Sequence, residues 1–209
     1  MESENKDERD WTWPDIGSLT EFDNAGYAEA MRKLAMDTGN ECYATVGIAI
    51  MMEPSNAKRA ASLYERAIAA GDERYATFNL ARMMDSCYSL AQSFPYSESL
   101  AGSLFEDDYN PEAIIKSLYE RAIAAGDERY ATGGLADLVR RDDPELARSL
   151  YERAIAAGDE RYATLYLAIL ISVEEPEYAE SLCERATSAG NESATIALML
   201  ASLEQRYDD

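Results

Sequence analysis

Histidine is absent from all 209 residues. That removes the commonest general base, the Ser–His and Cys–His nucleophile pairs, and most zinc and other transition-metal sites. Cysteine is sparse. Cys42, Cys87 and Cys183 are odd in number and far apart, with no CxxC pair, a pattern that reads as free thiols in a reducing compartment. Basic charge is short as well, with 19 basic against 40 acidic residues and a formal net charge of −21. An excess of that sign repels nucleic-acid phosphates and anionic lipid and attracts basic proteins. Direct binding of nucleic acid or membrane is therefore not expected. Long apolar runs are missing too: the longest, Tyr162 to Val173, contains Thr164 and Ser172 and is too short to cross a bilayer. The opening MESENKDERDW is acidic and polar, unlike a signal peptide. A soluble, cytoplasmic protein is the expectation. Apolar residues still make up 47% of the chain, enough for a sizeable core.

Repetition is what the sequence has in abundance. The sixteen residues SLYERAIAAGDERYAT occur three times unchanged, at Ser62–Thr77, Ser117–Thr132 and Ser149–Thr164. Diverged copies flank them at Ala30–Thr45 and Ser181–Thr195. The marker glycines Gly39, Gly71, Gly126, Gly158 and Gly190 are separated by 32, 55, 32 and 32 residues, so five units of 32 residues carry a 23-residue insertion between units two and three.

Each unit reads as a pair of helices. Asp143 suits the cap of a first helix, Pro144 its first turn and Glu145 its positive dipole end; Asn110-Pro111-Glu112 repeats that signal. Leu146, Ala147, Leu150, Tyr151, Ala154 and Ile155 then form one apolar stripe. Gly158 suits a left-handed helix end, and Asp159 caps a second helix predicted over Glu160 to about Ser172. That helix is apolar nearly all round and needs cover from neighbouring units. The expected fold is all-α, an α/α right-handed solenoid of about five antiparallel helix pairs. An acidic N-terminal segment or cap covers 1–26, the solenoid 27–203, and an acidic tail 204–209. The units fall at about 27–56, 57–110 (insertion at about 86–110), 111–143, 144–175 and 176–203.

The pattern A-x-x-L-Y-E-R-A-x-x-A-G-D, followed by Ala76–Ala81 (ATFNLA), resembles the Sel1-like repeat, a relative of the tetratricopeptide repeat, over about residues 27–203. Two features depart from that family. Its glycine-rich loop between units is replaced by short turns such as Arg141-Asp142-Asp143-Pro144, and four of the five units carry one extra residue after the glycine. The resemblance implies a protein-binding scaffold whose first helices line a concave groove, with Glu65-Arg66, Glu120-Arg121, Glu152-Arg153 and Glu184-Arg185 facing it. Stacking also predicts that these pairs form ion-pair ladders between units, each exposed pair contributing at most about 1 kcal/mol.

Charge is concentrated in the irregular segments. Residues 1–26 carry −6, residues 85–113 carry −6 and residues 172–209 carry −7, whereas 27–84 are neutral and 114–171 carry −2. One reading is that solvated loops and termini tolerate charge and gain solubility from it; the other is that an acidic surface docks a basic partner or mimics a phosphate backbone. The insertion sets Phe94, Tyr96, Phe105 and Tyr109 beside Glu106, Asp107 and Asp108. Aromatics with acids suit an interface with a basic protein, and insertions in repeat arrays often map to the binding face. These seven residues are the candidate protein-binding site, against the alternative that the rings plug a wider gap between units. The start of the insertion extends the preceding helix in this reading, and Ser97–Phe105 forms a short extra one. Trp11 and Trp13 read as a cap over unit one.

No catalytic residue, cofactor site or metal site is predicted. The chain has no GxxxxGK[ST] and no GxGxxG, and Glu106-Asp107-Asp108 and Asp142-Asp143 lack the alternating ligands of a calcium loop. Cys183 stands where other units have Tyr64, Tyr119 and Tyr151, as a small core substitute, and Cys42 stands where they have Arg74, Arg129 and Arg161. The expected function is a non-catalytic adaptor or scaffold for a basic protein. The alternative is a dedicated inhibitor, such as a toxin-immunity protein or an acidic mimic that antagonises a nucleic-acid-acting enzyme.

Overall fold

The computed structural model describes residue 39, residues 41–93, residues 110–191, and residues 193, 194 and 197. Among them it holds eight α-helices and no strand: α1 Glu41–Met52, α2 Ala57–Ala69, α3 Tyr75–Ser93, α4 Pro111–Ala124, α5 Tyr130–Val139, α6 Pro144–Ala156, α7 Ala163–Ile171 and α8 Pro176–Ser188. Every helix packs on the next one in sequence, and α1–α3 and α3–α5 touch as well.

Local chemistry sets the boundaries. Asn56, Asn110 and Asp143 cap α2, α4 and α6, each accepting a hydrogen bond from the backbone N–H three residues on, at 3.0, 3.3 and 3.0 Å. α8 has no such cap; its leading residue Glu175 instead accepts from Arg148 at 2.7 Å. The first helices end alike. Gly71, Gly126, Gly158 and Gly190 have φ between 96° and 108°, a region that only glycine enters at little cost. The next N–H reaches back five residues, from Asp72 to Ala67 and from Asp127 to Ala122, both at 3.0 Å.

The second helix of unit four starts at Ala163, not at Glu160 as the sequence suggests. Asp159 holds Glu160–Tyr162 in a turn by accepting from the Tyr162 N–H at 3.0 Å, and the Arg161 guanidinium lies 5.3 Å from the Tyr162 ring centroid. α3 does run on into the insertion, as far as Ser93. Ser97–Phe105, Trp11 and Trp13 lie outside the described residues.

The core is one continuous cluster. Tyr64, Tyr119, Tyr151 and Cys183 occupy the same position in successive first helices and are all buried, as the sequence alignment predicts. A fully buried side chain of this size stabilises by roughly 1.5–3 kcal/mol through apolar area alone. The stripe expected on α6 is buried at Ala147, Leu150, Tyr151 and Ala154, but Leu146 stands exposed.

Candidate interaction surface

Two polar systems tie the units together. The first is a ladder at the Gly-Asp corners. Arg121 grips Glu73 with Nε–Oε2 at 2.7 Å and Nη2–Oε1 at 2.6 Å, and Arg153 grips Glu128 with the same fork at 2.8 and 2.6 Å. Arg185 reaches Glu160 at 2.7 Å. Ladders between units were expected, but with Glu65, Glu120 and Glu152 as partners. The acid is instead the glutamate two residues after the marker glycine of the preceding unit, because the fork must bridge from one helix to the neighbouring corner. These side chains are about half exposed, so each clasp contributes at most about 1 kcal/mol.

The second system lies where first and second helices meet. The Tyr64 hydroxyl donates to Glu53, which Arg82 also holds with Nη2 at 2.7 and 2.9 Å from its two oxygens. Tyr119 donates to Asp85 at 3.2 Å and Tyr151 to Asp137 at 3.3 Å, and Arg140 pairs with Asp137 at 3.1 Å. Burial pushes the Asp85 carboxyl up to about 6, against the Tyr119 hydrogen bond that lowers it; Asp137 adds to the rise and Arg140 opposes it. Burial raises the tyrosines at 119 and 151 above the ordinary phenol range, with Asp85 and Asp137 adding to it. Both hydroxyls therefore stay protonated donors.

The Gly-Asp corners also bury their capping acids. Asp127 is relieved by Arg74 of the preceding unit, although burial still raises its pKa. Asp72 has Arg74 of its own unit near it, but where Asp127 has an arginine from the preceding unit as well, the sequence offers Asp72 only Cys42. Asp72 is 8% exposed, its Oδ2 has no hydrogen-bond partner, and burial raises its pKa. The Cys42 thiol points to the Ala70 carbonyl at 3.6 Å. Cys87 is half-buried and its thiol is pushed up by burial and by Glu53, and Cys183 is buried with its thiol likewise raised by burial. Neither Cys87 nor Cys183 is a poised thiolate.

Short turns after α1, α5 and α7 bring the starts of α2, α6 and α8 beside the ends of α1, α5 and α7 along one edge, opposite the Gly-Asp corners; the start of α4 joins them, while α3 runs on past this level to Ser93. The exposed apolar side chains favour that edge. Met51 (56%) and Leu90 (52%) lie in the last turns of α1 and α3, Leu146 (40%) and Tyr178 (44%) in the first turns of α6 and α8, and Val173 (67%) in the turn between α7 and α8. Among the described residues no large apolar side chain is exposed at the Gly-Asp corners. Among the described residues the other two exposed large apolar side chains are Ile48, one turn before Met51, and Tyr166, which stacks on Tyr151 with centroids 6.2 Å apart.

Where α7 gives way to α8, the edge is strongly acidic. Glu174, Glu175, Glu177 and Glu180 surround Val173 and Tyr178, and Arg148 engages Glu175. The seven candidate residues of the insertion, Phe94, Tyr96, Phe105, Glu106, Asp107, Asp108 and Tyr109, lie outside the described residues. The chain leaves for them at Ser93, the end of α3, and returns at Asn110, the cap of α4. The Val173–Glu180 patch was not singled out by sequence. Its signal, Val-Glu-Glu-Pro-Glu-Tyr, was present but counted only as part of an acidic terminus.

Among the described residues no group of histidine, cysteine or acidic side chains is arranged to hold a metal, and no helix is long and apolar enough to cross a membrane. No protein-family model, no curated protein and no solved structure matches the chain, so its surface is read from its own residues.

Proposed function

We propose that this chain is a Sel1-like, right-handed α/α solenoid that acts as a non-catalytic interaction module for a basic protein partner. The 32-residue period, the marker glycines and the packing of each helix on the next support the architecture. The observation that carries the functional reading is the sorting of exposed apolar side chains to one edge, beside Glu174, Glu177 and Glu180. Apolar anchors supply binding energy, and surrounding carboxylates select and steer a cationic partner.

The test is capture of partners by the full chain at low and high salt, with Val173→Asp and Glu174→Lys variants in parallel. The expected result is a basic protein whose capture falls at high salt and with either variant, while the variants keep the parent's helical signal and melting temperature. Equal capture by parent and both variants would place the interface elsewhere, and substrate turnover with no captured protein would sink the module reading. The dedicated-inhibitor reading predicts one tight one-to-one complex whose association slows steeply with salt; an adaptor binds several partners more weakly.

A further inference from the structure

The second helices keep one orientation in the stack. The residue eight after the marker glycine faces the first helix of its own unit: Tyr166 stacks on Tyr151, and a Cβ on Gly134 would meet the Tyr119 ring. The residue before it faces the next unit: the Phe78 ring centroid lies 6.1 Å from that of Tyr130, and a Cβ on Gly133 would lie 3.5 Å from Asp159. Successive residues of a helix are turned by about 100°, so the residue after it faces the preceding unit. In units two to four that residue is Leu80, Leu135 and Leu167, exposed by 5, 7 and 1%; in unit one it is Ile48, exposed by 53%. The rest of that side agrees. Ala44, Thr45 and Met52 are half-buried and Met51 is exposed, whereas their unit-two counterparts Ala76, Thr77, Met84 and Met83 are all buried. The other side of α1 is closed, with Val46, Ala49 and Ile50 buried. α1 thus presents an apolar face where a preceding unit would pack.

We propose that the chain's own residues 10–15, Asp-Trp-Thr-Trp-Pro-Asp, seat on this face with both indoles against Ile48 and Met51. The spacing fits. An extended chain puts residues i and i+2 on one side, roughly 6–7 Å apart, and Ile48 and Met51 are i, i+3 neighbours on a helix, about 5–6 Å apart. Pro14 favours the extended form at Trp13, because its ring crowds the helical conformation of the residue before it. The length fits too: the thirteen residues 14–26 lead from Trp13 to the start of unit one and reach up to about 40 Å. Charge selects this end of the array. Residues 1–26 carry −6; residues 27–84 are neutral and expose Lys58 and Arg59 at the start of α2, whereas residues 172–209 carry −7 and repel an acidic segment. Seated there, the indoles close the end on which another copy would otherwise stack. Met51 is then withdrawn from the partner-facing edge. Val173, Glu174 and Tyr178 are untouched, so the inference stands apart from the basic-partner reading.

Trp11 and Trp13 are the only tryptophans in the chain, so their fluorescence reports on the seat directly. The full chain is compared with an Ile48→Asp, Met51→Asp variant, whose helical signal is checked by circular dichroism. The expected parent emits to the blue of the denatured chain and is quenched several times less by acrylamide; the variant moves both readings to the denatured values while its helices persist. A parent that already emits like the denatured chain overturns the proposal, as does a blue emission that the two substitutions leave in place. A stability cycle gives a second reading that gentler substitutions can supply. Ile48→Ala should lower the melting temperature of the parent, and shift it less than about half as far once Trp11→Ala and Trp13→Ala are present. Equal shifts in the two backgrounds overturn the contact. Sedimentation tests the rival occupant: a parent heavier than the single 23.2 kDa chain that Ile48→Asp returns to one chain, with tryptophan emission unmoved, would mean that a second copy covers this face and would remove the proposal.

Discussion

At the scale of single residues, the informative positions are the acids that the stack buries. Asp85 titrates near 6, above its unfolded value near 3.8, so the folded state binds its proton more tightly. Its stabilising contribution is fully present below about pH 4 and is lost as pH rises through about 6. Asp85→Asn should therefore melt at a higher temperature than the parent at pH 7 to 8, with the gap closing by pH 4, since the amide oxygen still accepts from Tyr119. A gap independent of pH would mean that the carboxyl is not the cause. Asp72 tells a related story. Its downstream counterpart Asp127 has both Arg74 and Arg129 nearby, whereas Asp72 has Arg74 alone and an oxygen without a hydrogen-bond partner. Cys42→Arg supplies a second guanidinium and should stabilise the full chain by about 1 kcal/mol in chemical denaturation, by giving the unpartnered oxygen a donor. A loss of stability would show that the corner has no room for the longer side chain. The sequence comparison already identified Cys42 as the substitute for an arginine. What it did not reveal was which acid the substitution leaves with one guanidinium in place of two, because Asp72 lies in the next unit.

At the scale of helices, most of the design was legible. Caps, first-turn prolines and left-handed glycines act through their own backbone, so their effect can be read within a few residues, and Asn110, Asp143 and Gly158 behave as their neighbours dictate. Two details needed the stack itself. α7 begins three residues late because the Arg161–Tyr162 contact and the Asp159 hydrogen bond keep the corner as a turn. The arginine clasps choose Glu73, Glu128 and Glu160, a choice that depends on how one pair of helices sits on the next. The contact between α4 and α5 offers a sharp check. A Cβ on Gly134 would lie 2.5 Å from the Tyr119 ring, which is buried and tied to Asp85 by its hydroxyl. Replacing a helical glycine by alanine ordinarily gains up to about 1 kcal/mol, whereas overpacking costs about 1–3 kcal/mol. Gly134→Ala should thus lower the stability of the chain by about 1 kcal/mol in denaturant titration. A stabilised variant would show that the ring can slide away.

At the scale of the whole molecule, the sequence conveyed repetition and charge but not sidedness. The insertion, Trp11 and Trp13 drew the eye because they break the pattern. Apart from Leu90, the apolar edge draws its members from regular units, one or two per turn, and only the packing of the helices assembles them. Repeat identity also hides unequal joints. Unit five has Cys183 in place of the core tyrosine, so it lacks the hydroxyl bond made by Tyr64, Tyr119 and Tyr151. Its arginine clasp to Glu160 shows one contact in place of a fork, and its corner has the amide Asn191 in place of an acid, donating to the Arg161 carbonyl at 3.1 Å. Pulled by its two ends, such a chain would not shear everywhere at once. The joint between α7 and α8 would peel first, a built-in weak link that yields under tension while the middle of the array stays zipped.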